Sequence, residues 1–90
     1  MAKGRPTTTI ELDYSIEVDG VSVDTLTMRR PTVRDQLQFD EGKGNEARRV
    51  VKMIASLCDV APSAIEQLDN SDFIKVSEVM QGFQSTQQEN

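Results

Sequence analysis

With 90 residues and a formal charge of −5, the chain makes one domain, and a domain of that size buries only roughly 60–65% of the surface its unfolded form exposes. Four aromatic residues, Tyr14, Phe39, Phe73 and Phe83, and no tryptophan leave a thin aliphatic core, which a second copy or a bound partner would supplement. The lack of histidine and the lone Cys58 exclude histidine acid–base chemistry, a Cys/His zinc site and an internal disulfide.

Residues 1–8 are polar, contain Gly4 and Pro6 and show no apolar period, so a loose leader is expected there. Ile10, Leu12, Tyr14, Ile16 and Val18 then alternate with Glu11, Asp13, Ser15 and Glu17, the period of a strand with one buried face. Asp19-Gly20 suits the positive φ angles of a type I′ turn, and Val21 and Val23 resume the alternation. A β-hairpin over about 9–29 follows. The turn pairs Val18 with Val21 and Ile16 with Val23. Beyond Val23 the apolar positions change parity, to Leu26 and Met28, which predicts a bulge near Asp24-Thr25 that sets Tyr14 opposite Leu26 and Leu12 opposite Met28.

After Arg29-Arg30-Pro31 the pattern becomes helical. Thr32 and Asp35 form a variant capping box opening a helix over about 32–41, in which Val33 and Leu37 share one face. Ala47, Val50, Val51, Ile54, Ala55, Leu57 and Cys58 recur at three- and four-residue spacings, predicting a helix over about 45–58 with Cys58 as a buried small hydrophobe. Pro62 suits the first turn of a short helix over about 62–68 that turns Ile65 and Leu68 inward. Asp69, Asn70 or Ser71 caps a last helix, about 70–83, with Phe73, Val76, Met80 and Phe83 on one stripe, Ile74 beside it and Gly82 at its end. The polar, glutamine-rich residues 84–90 read as a disordered tail. The fold class is α+β, a hairpin followed by three to four helices, in a single domain over 9–83.

A search for chemistry yields no catalytic constellation, so the chain reads as a binding protein rather than an enzyme. Glu11, Asp13 and Glu17 lie on the polar face of the ribbon. Glu66, Asp69 and Asp72 flank a helix start, where negative charge is favourable. Gly42-Lys43-Gly44 lacks the spacing of a phosphate loop. No cofactor and no metal is expected. Residues 61–90 carry Lys75 against Glu66, Asp69, Asp72, Glu78 and Glu89, while the first two thirds are close to neutral. Nucleic acid, which needs a clustered positive field, is not the expected partner. No apolar run approaches the ~20 residues that cross a bilayer and no secretion signal opens the sequence, so the expectation is a cytoplasmic protein without membrane contact.

One stretch asks for a partner. Arg29, Arg30 and Arg34 cluster where the chain enters its first helix, and positive charge before a helix N-terminus is unfavourable. Either these arginines pair internally with Glu11, Asp13 or Asp35, or they form a basic patch that grips an acidic partner segment. Met80 and Phe83, near the end of the last helix, offer adaptable apolar contact. The candidate partner-binding residues are Met28, Arg29, Arg30, Arg34, Met80 and Phe83.

Residues 10–31, from Ile10 through Asp19-Gly20 to Leu26-Thr27-Met28-Arg29-Arg30-Pro31, resemble the opening of tail assembly chaperones of Mu-like and P2-like bacteriophages. The corner Ile54-Ala55-Ser56-Leu57-Cys58-Asp59-Val60-Ala61-Pro62, the turn Gln67-Leu68-Asp69 and the closing Gln81-Gly82-Phe83 are similar too, so the likeness spans about residues 9–83. The resemblance implies a protein of the host bacterium's cytoplasm that coats the tape measure protein, keeps it soluble while tail tube subunits polymerise around it, and is absent from the mature virion. It further implies a longer frameshifted product reaching the tail tube protein, for which residues 84–90 would be the point of extension. Two other readings stand beside it: a nucleic-acid-binding or transcription-regulating phage module, and a structural tail component retained in the virion.

Overall fold

A computed structural model describes residues 6–85, with side chains through Phe83. Strands β1 (Thr7–Val18) and β2 (Val21–Arg29) form an antiparallel hairpin, followed by helices α1 (Val33–Glu41), α2 (Glu46–Cys58), α3 (Pro62–Ile65) and α4 (Asn70–Ser85). The fold is α+β, as the sequence patterns require. Of the expected leader, residues 1–5 lie outside the described part, while Thr7 and Thr8 are strand residues facing Arg29 and Met28. At the other end α4 runs through Ser85, so Gly82 is inside the helix rather than at its end. Residues 86–90 of the expected tail lie outside the described residues.

Asp19 and Gly20 both take positive φ, 53° and 80°, as a type I′ turn demands. Val18 pairs with Val21 and Ile16 with Val23. A Cβ on Gly20 would meet no atom within 4 Å, so Gly20→Ala should cost only its backbone strain. The expected loss is about 1 kcal/mol, read as a lower urea midpoint with unchanged slope.

The predicted register beyond the turn is corrected. Between the pairs Ile16–Val23 and Glu11–Thr25, β1 runs through four residues, 12–15, while β2 has only Asp24; Ile10 then faces Leu26 and Thr8 faces Met28. The surplus therefore lies on β1, not on β2 near Asp24-Thr25, and neither the Tyr14–Leu26 nor the Leu12–Met28 pair forms. The parity change at Leu26 and Met28 was a sound signal, since both are buried on the same face as Ile10, Leu12 and Ile16. It registers a switch of face but does not say which strand carries the extra residues. Tyr14, assigned to the buried face by alternation, is 63% exposed.

What holds the bulge is Asp72 in the first turn of α4. Its wholly buried carboxylate accepts the Asp13 N–H at 2.9 and 3.0 Å and the Tyr14 N–H at 3.1 Å. Two amides that leave the ladder are thus satisfied by one side chain, which removes the cost of burying them unpaired. Lys75 lies 3.5 Å from the same carboxylate and donates to the Glu11 carbonyl at 2.7 Å. Nearer the turn, the Gln67 amide accepts the Glu17 N–H at 2.9 Å and donates to the Glu17 carbonyl at 3.0 Å, in the manner of a neighbouring strand.

The core lies between one face of the hairpin and the helices. Ile10, Leu12, Ile16, Leu26 and Met28 meet Met53, Ile54, Leu57 and Cys58 of α2, Ala64 and Ile65 of α3, and Val76 and Met80 of α4. Burial pushes the Cys58 thiol up to about 11, so it is held as the unreactive thiol. The corner after α2 has a definite geometry. Asp59 is left-handed (φ 59°), its N–H reaches Ser56 O, and the Val60 N–H reaches Ala55 O at 3.0 Å, a Schellman closure. Pro62 then starts α3 where its missing N–H costs nothing. At α4, Asp69 takes the capping role: its side chain accepts from the Ser71 N–H at 3.0 Å.

Candidate partner-binding site

The exit of β2, helix α1 and the end of α4 converge on one side of the molecule. Thr32 caps α1 and Asp35 closes the box: the Asp35 N–H donates to Thr32 Oγ1 at 3.3 Å and the Thr32 N–H to Asp35 Oδ2 at 2.7 Å. Asp35 is buried because a second group needs it. Arg29 reaches it with both terminal nitrogens, Nη1 to Oδ2 at 2.7 Å and Nη2 to Oδ1 at 3.0 Å. The fork geometry fits a carboxylate as lysine would not. For Arg29 the internal pairing with Asp35 is therefore the one realised.

Hydrogen bonds from Arg29, joined by those from Thr32 and the Arg29 charge, hold the Asp35 carboxyl at about 2 against the opposing effect of burial. A depressed carboxylate contributes stability above its unfolded value and loses it as pH falls toward the folded one. Acid should thus weaken the β2–α1 junction between pH about 4 and 2. The arginine side chain is 39% exposed, so solvent screening limits this contribution to about 1–2 kcal/mol. Asp35→Asn should flatten the stability profile over that interval, as thermal melts at stepped pH would show.

The other candidates are placed as follows. The Arg30 guanidinium stands 5.4 Å from the centre of the Phe83 ring, a cation–π distance that links the β2 exit to α4. Arg34 is exposed on α1. Met28 is wholly buried and Met80 nearly so; both are core residues in this conformation. The structure thus brings Arg29, Arg30 and Phe83 to one junction, leaves Arg34 at the surface and puts the two methionines beneath it.

Two features escape a reading by residue pattern. Val33 and Leu37, an apolar pair on one face of α1, face solvent at 77% and 51% exposure, because the opposite face, with Asp35 and Phe39, meets the core. Next to that contact lies a cavity of about 160 Å³ between α1 and α2, lined by Phe39, Met53, Asp35 and Arg49 with Gln38, Gly42, Lys52 and Ser56 at its edge. Arg49 braces its wall, stacking 4.8 Å from the Phe39 ring centre and donating to the Phe39 carbonyl at 3.0 Å.

Charge is divided more sharply than the near-neutral first two thirds suggest. Seven of the ten basic residues fall between Arg29 and Lys52, against four acids, while residues 6–28 hold five acids and no base. The excess comes from Arg29, Arg30 and Lys43 outside the helices and from α2, where Arg48, Arg49 and Lys52 outnumber Glu46, while α1 itself carries Arg34 against three acids. Among the described residues no group of His, Cys, Asp or Glu is placed to hold a metal ion, and no helix is long and apolar enough to cross a membrane.

No curated protein and no solved structure matches the chain significantly. A family model does, described as "Phage tail assembly chaperone proteins, E, or 41 or 14", over residues 9–85. That span takes in nearly all of the hairpin and every helix, including the Arg29–Asp35 junction and the Asp59 corner, and the chain therefore belongs to the phage tail assembly chaperone family.

Proposed function

We propose that this chaperone binds the tape measure protein, keeps it soluble and releases it as tail tube subunits assemble around it. Family membership across residues 9–85 carries the reading, and it suggests a role without catalysis. The exposed Val33 and Leu37 support it, since a small protein that leaves two large apolar side chains of one helix in water offers contact to a partner's apolar stripe. Arg34 on the same helix, and Arg30 and Phe83 near its start, are the proposed polar and aromatic contacts, whereas Met28 and Met80 could join only if the core opened. On this reading the protein acts in the host cytoplasm and leaves the particle before maturation, and a longer frameshifted form would extend contact to the tail tube protein.

Co-expression with the tape measure protein from the same genome tests this. The tape measure protein should stay in the soluble fraction and copurify with the chain, and mass spectrometry of purified virions should show the chain depleted. An insoluble tape measure protein with no copurification would sink the proposal. Retention at stoichiometric levels in virions would favour a structural tail component instead.

A further inference from the structure

We propose that the α1–α2 cavity is a socket for a single apolar side chain carried on an acidic segment of the tape measure protein; this rests on the functional reading above and names the chemistry it would recognise. The size is suitable. A dry apolar cavity of about 150 Å³ is enough to take up a benzene ring, and this one, at about 160 Å³, would admit a leucine, methionine or phenylalanine side chain. Its floor is apolar, formed by Met53 and the Phe39 ring. Asp35, the one carboxylate on its wall, is already neutralised by the paired contacts from Arg29 and the Thr32 donors, so it presents no unbalanced charge to an incoming acid.

The mouth selects the flanking chemistry. Gln38, Gly42, Lys52 and Ser56 are all exposed there. The neighbouring cations are engaged: Arg29 with Asp35, Arg48 with Glu66 at 3.2 Å, and Arg49 with the Phe39 carbonyl. Lys52 forms no ion pair among the described residues, and with Arg48 and Arg49 it gives α2 three bases to the single acid Glu46. An apolar side chain seated in the socket would place a carboxylate one helical turn away, at i−4 or i+4, within reach of Lys52. The apolar contact supplies affinity, and the lysine selects acidic neighbours.

The test titrates the full chain with overlapping peptides from the tape measure protein, read on the Met53 methyl and Gly42 amide NMR resonances. Peptides bearing Leu, Met or Phe beside Asp or Glu should move both signals. Lys52→Glu should weaken them about tenfold, and Ser56→Phe, which fills the mouth, should abolish them, with circular dichroism confirming that both variants fold. Wild-type binding that persists at unchanged affinity in both variants overturns the socket and leaves the functional reading intact. So does binding indifferent to acidic residues, or self-association of the chain that Ser56→Phe removes. A wild-type chain that fails to keep the co-expressed tape measure protein soluble overturns the functional reading itself.

Discussion

Asp72→Ala should produce the largest loss of stability of any single carboxylate replacement in this chain. The truncation strands the Asp13 and Tyr14 amides, which have left the β-ladder and donate to Asp72, and it takes from Lys75 its buried counter-charge. The effect joins two elements 58 and 59 residues apart in sequence, so the hairpin should loosen from α4 rather than merely fray. Hydrogen exchange offers the sharpest view: protection of the Asp13 and Tyr14 amides should vanish while that of the α2 amides falls only in step with global stability. Asn in place of Asp keeps an acceptor and should fall between the two. Acid should mimic the alanine variant. The amides of Asp13 and Tyr14 hold this carboxyl below its ordinary range, so its contribution is complete above that range and disappears as pH drops through the lowered value. Equal melting temperatures for wild type and Asp72→Ala would show that the bulge is held by something else.

The second large effect is expected at Met28. Its side chain is wholly buried between the hairpin and the helices, and truncation of a buried methionine to alanine costs about 2–5 kcal/mol through lost transfer energy and the void left behind. For a domain this small that is a substantial share of a total stability of roughly 5–13 kcal/mol. Urea unfolding should record it as a lower midpoint. The same variant separates two roles for Met28. If it acts only through the core, Met28→Ala held well below its transition should keep the proposed binding of the tape measure protein; if the core opens to expose it, that binding should fall even where the chain is folded. Met28→Leu, which nearly conserves volume, should cost less than about 1.5 kcal/mol and serve as the control.

Much of this architecture could be read from the sequence because its signals are local. An uninterrupted alternation before Asp19-Gly20 leaves a hairpin as the economical reading, and Thr32 with Asp35 marks the start of α1 by hydrogen bonds that span only three residues. What stayed hidden depends on contacts between distant segments. Asp72 in a first helical turn reads as a dipole partner, and nothing nearby in sequence reveals that its carboxylate crosses to β1. Val33 and Leu37 have the spacing of a core stripe, yet Asp35 claims the inner face of α1 because Arg29 needs a buried partner. At the site, the sequence located the junction of Arg29, Arg30 and α1 and left its internal pairing as one of two options. The socket could not be foreseen, since a void belongs to two helices at once and to no pattern in either.

The way β1 ends its outer edge has a consequence for how the protein behaves in company. A two-stranded ribbon offers two rims on which a stray strand could build, and exposed rims are where misfolded chains recruit one another. Between Glu11 and Glu17 of β1 that rim is occupied: Gln67 imitates a peptide group beside Glu17, Asp72 claims two amides, and Lys75 caps the Glu11 carbonyl. A segment pairing along that stretch would have to displace three side chains. This tail assembly chaperone thereby carries, in its own polar side chains, protection on that stretch against becoming the seed of its own aggregation.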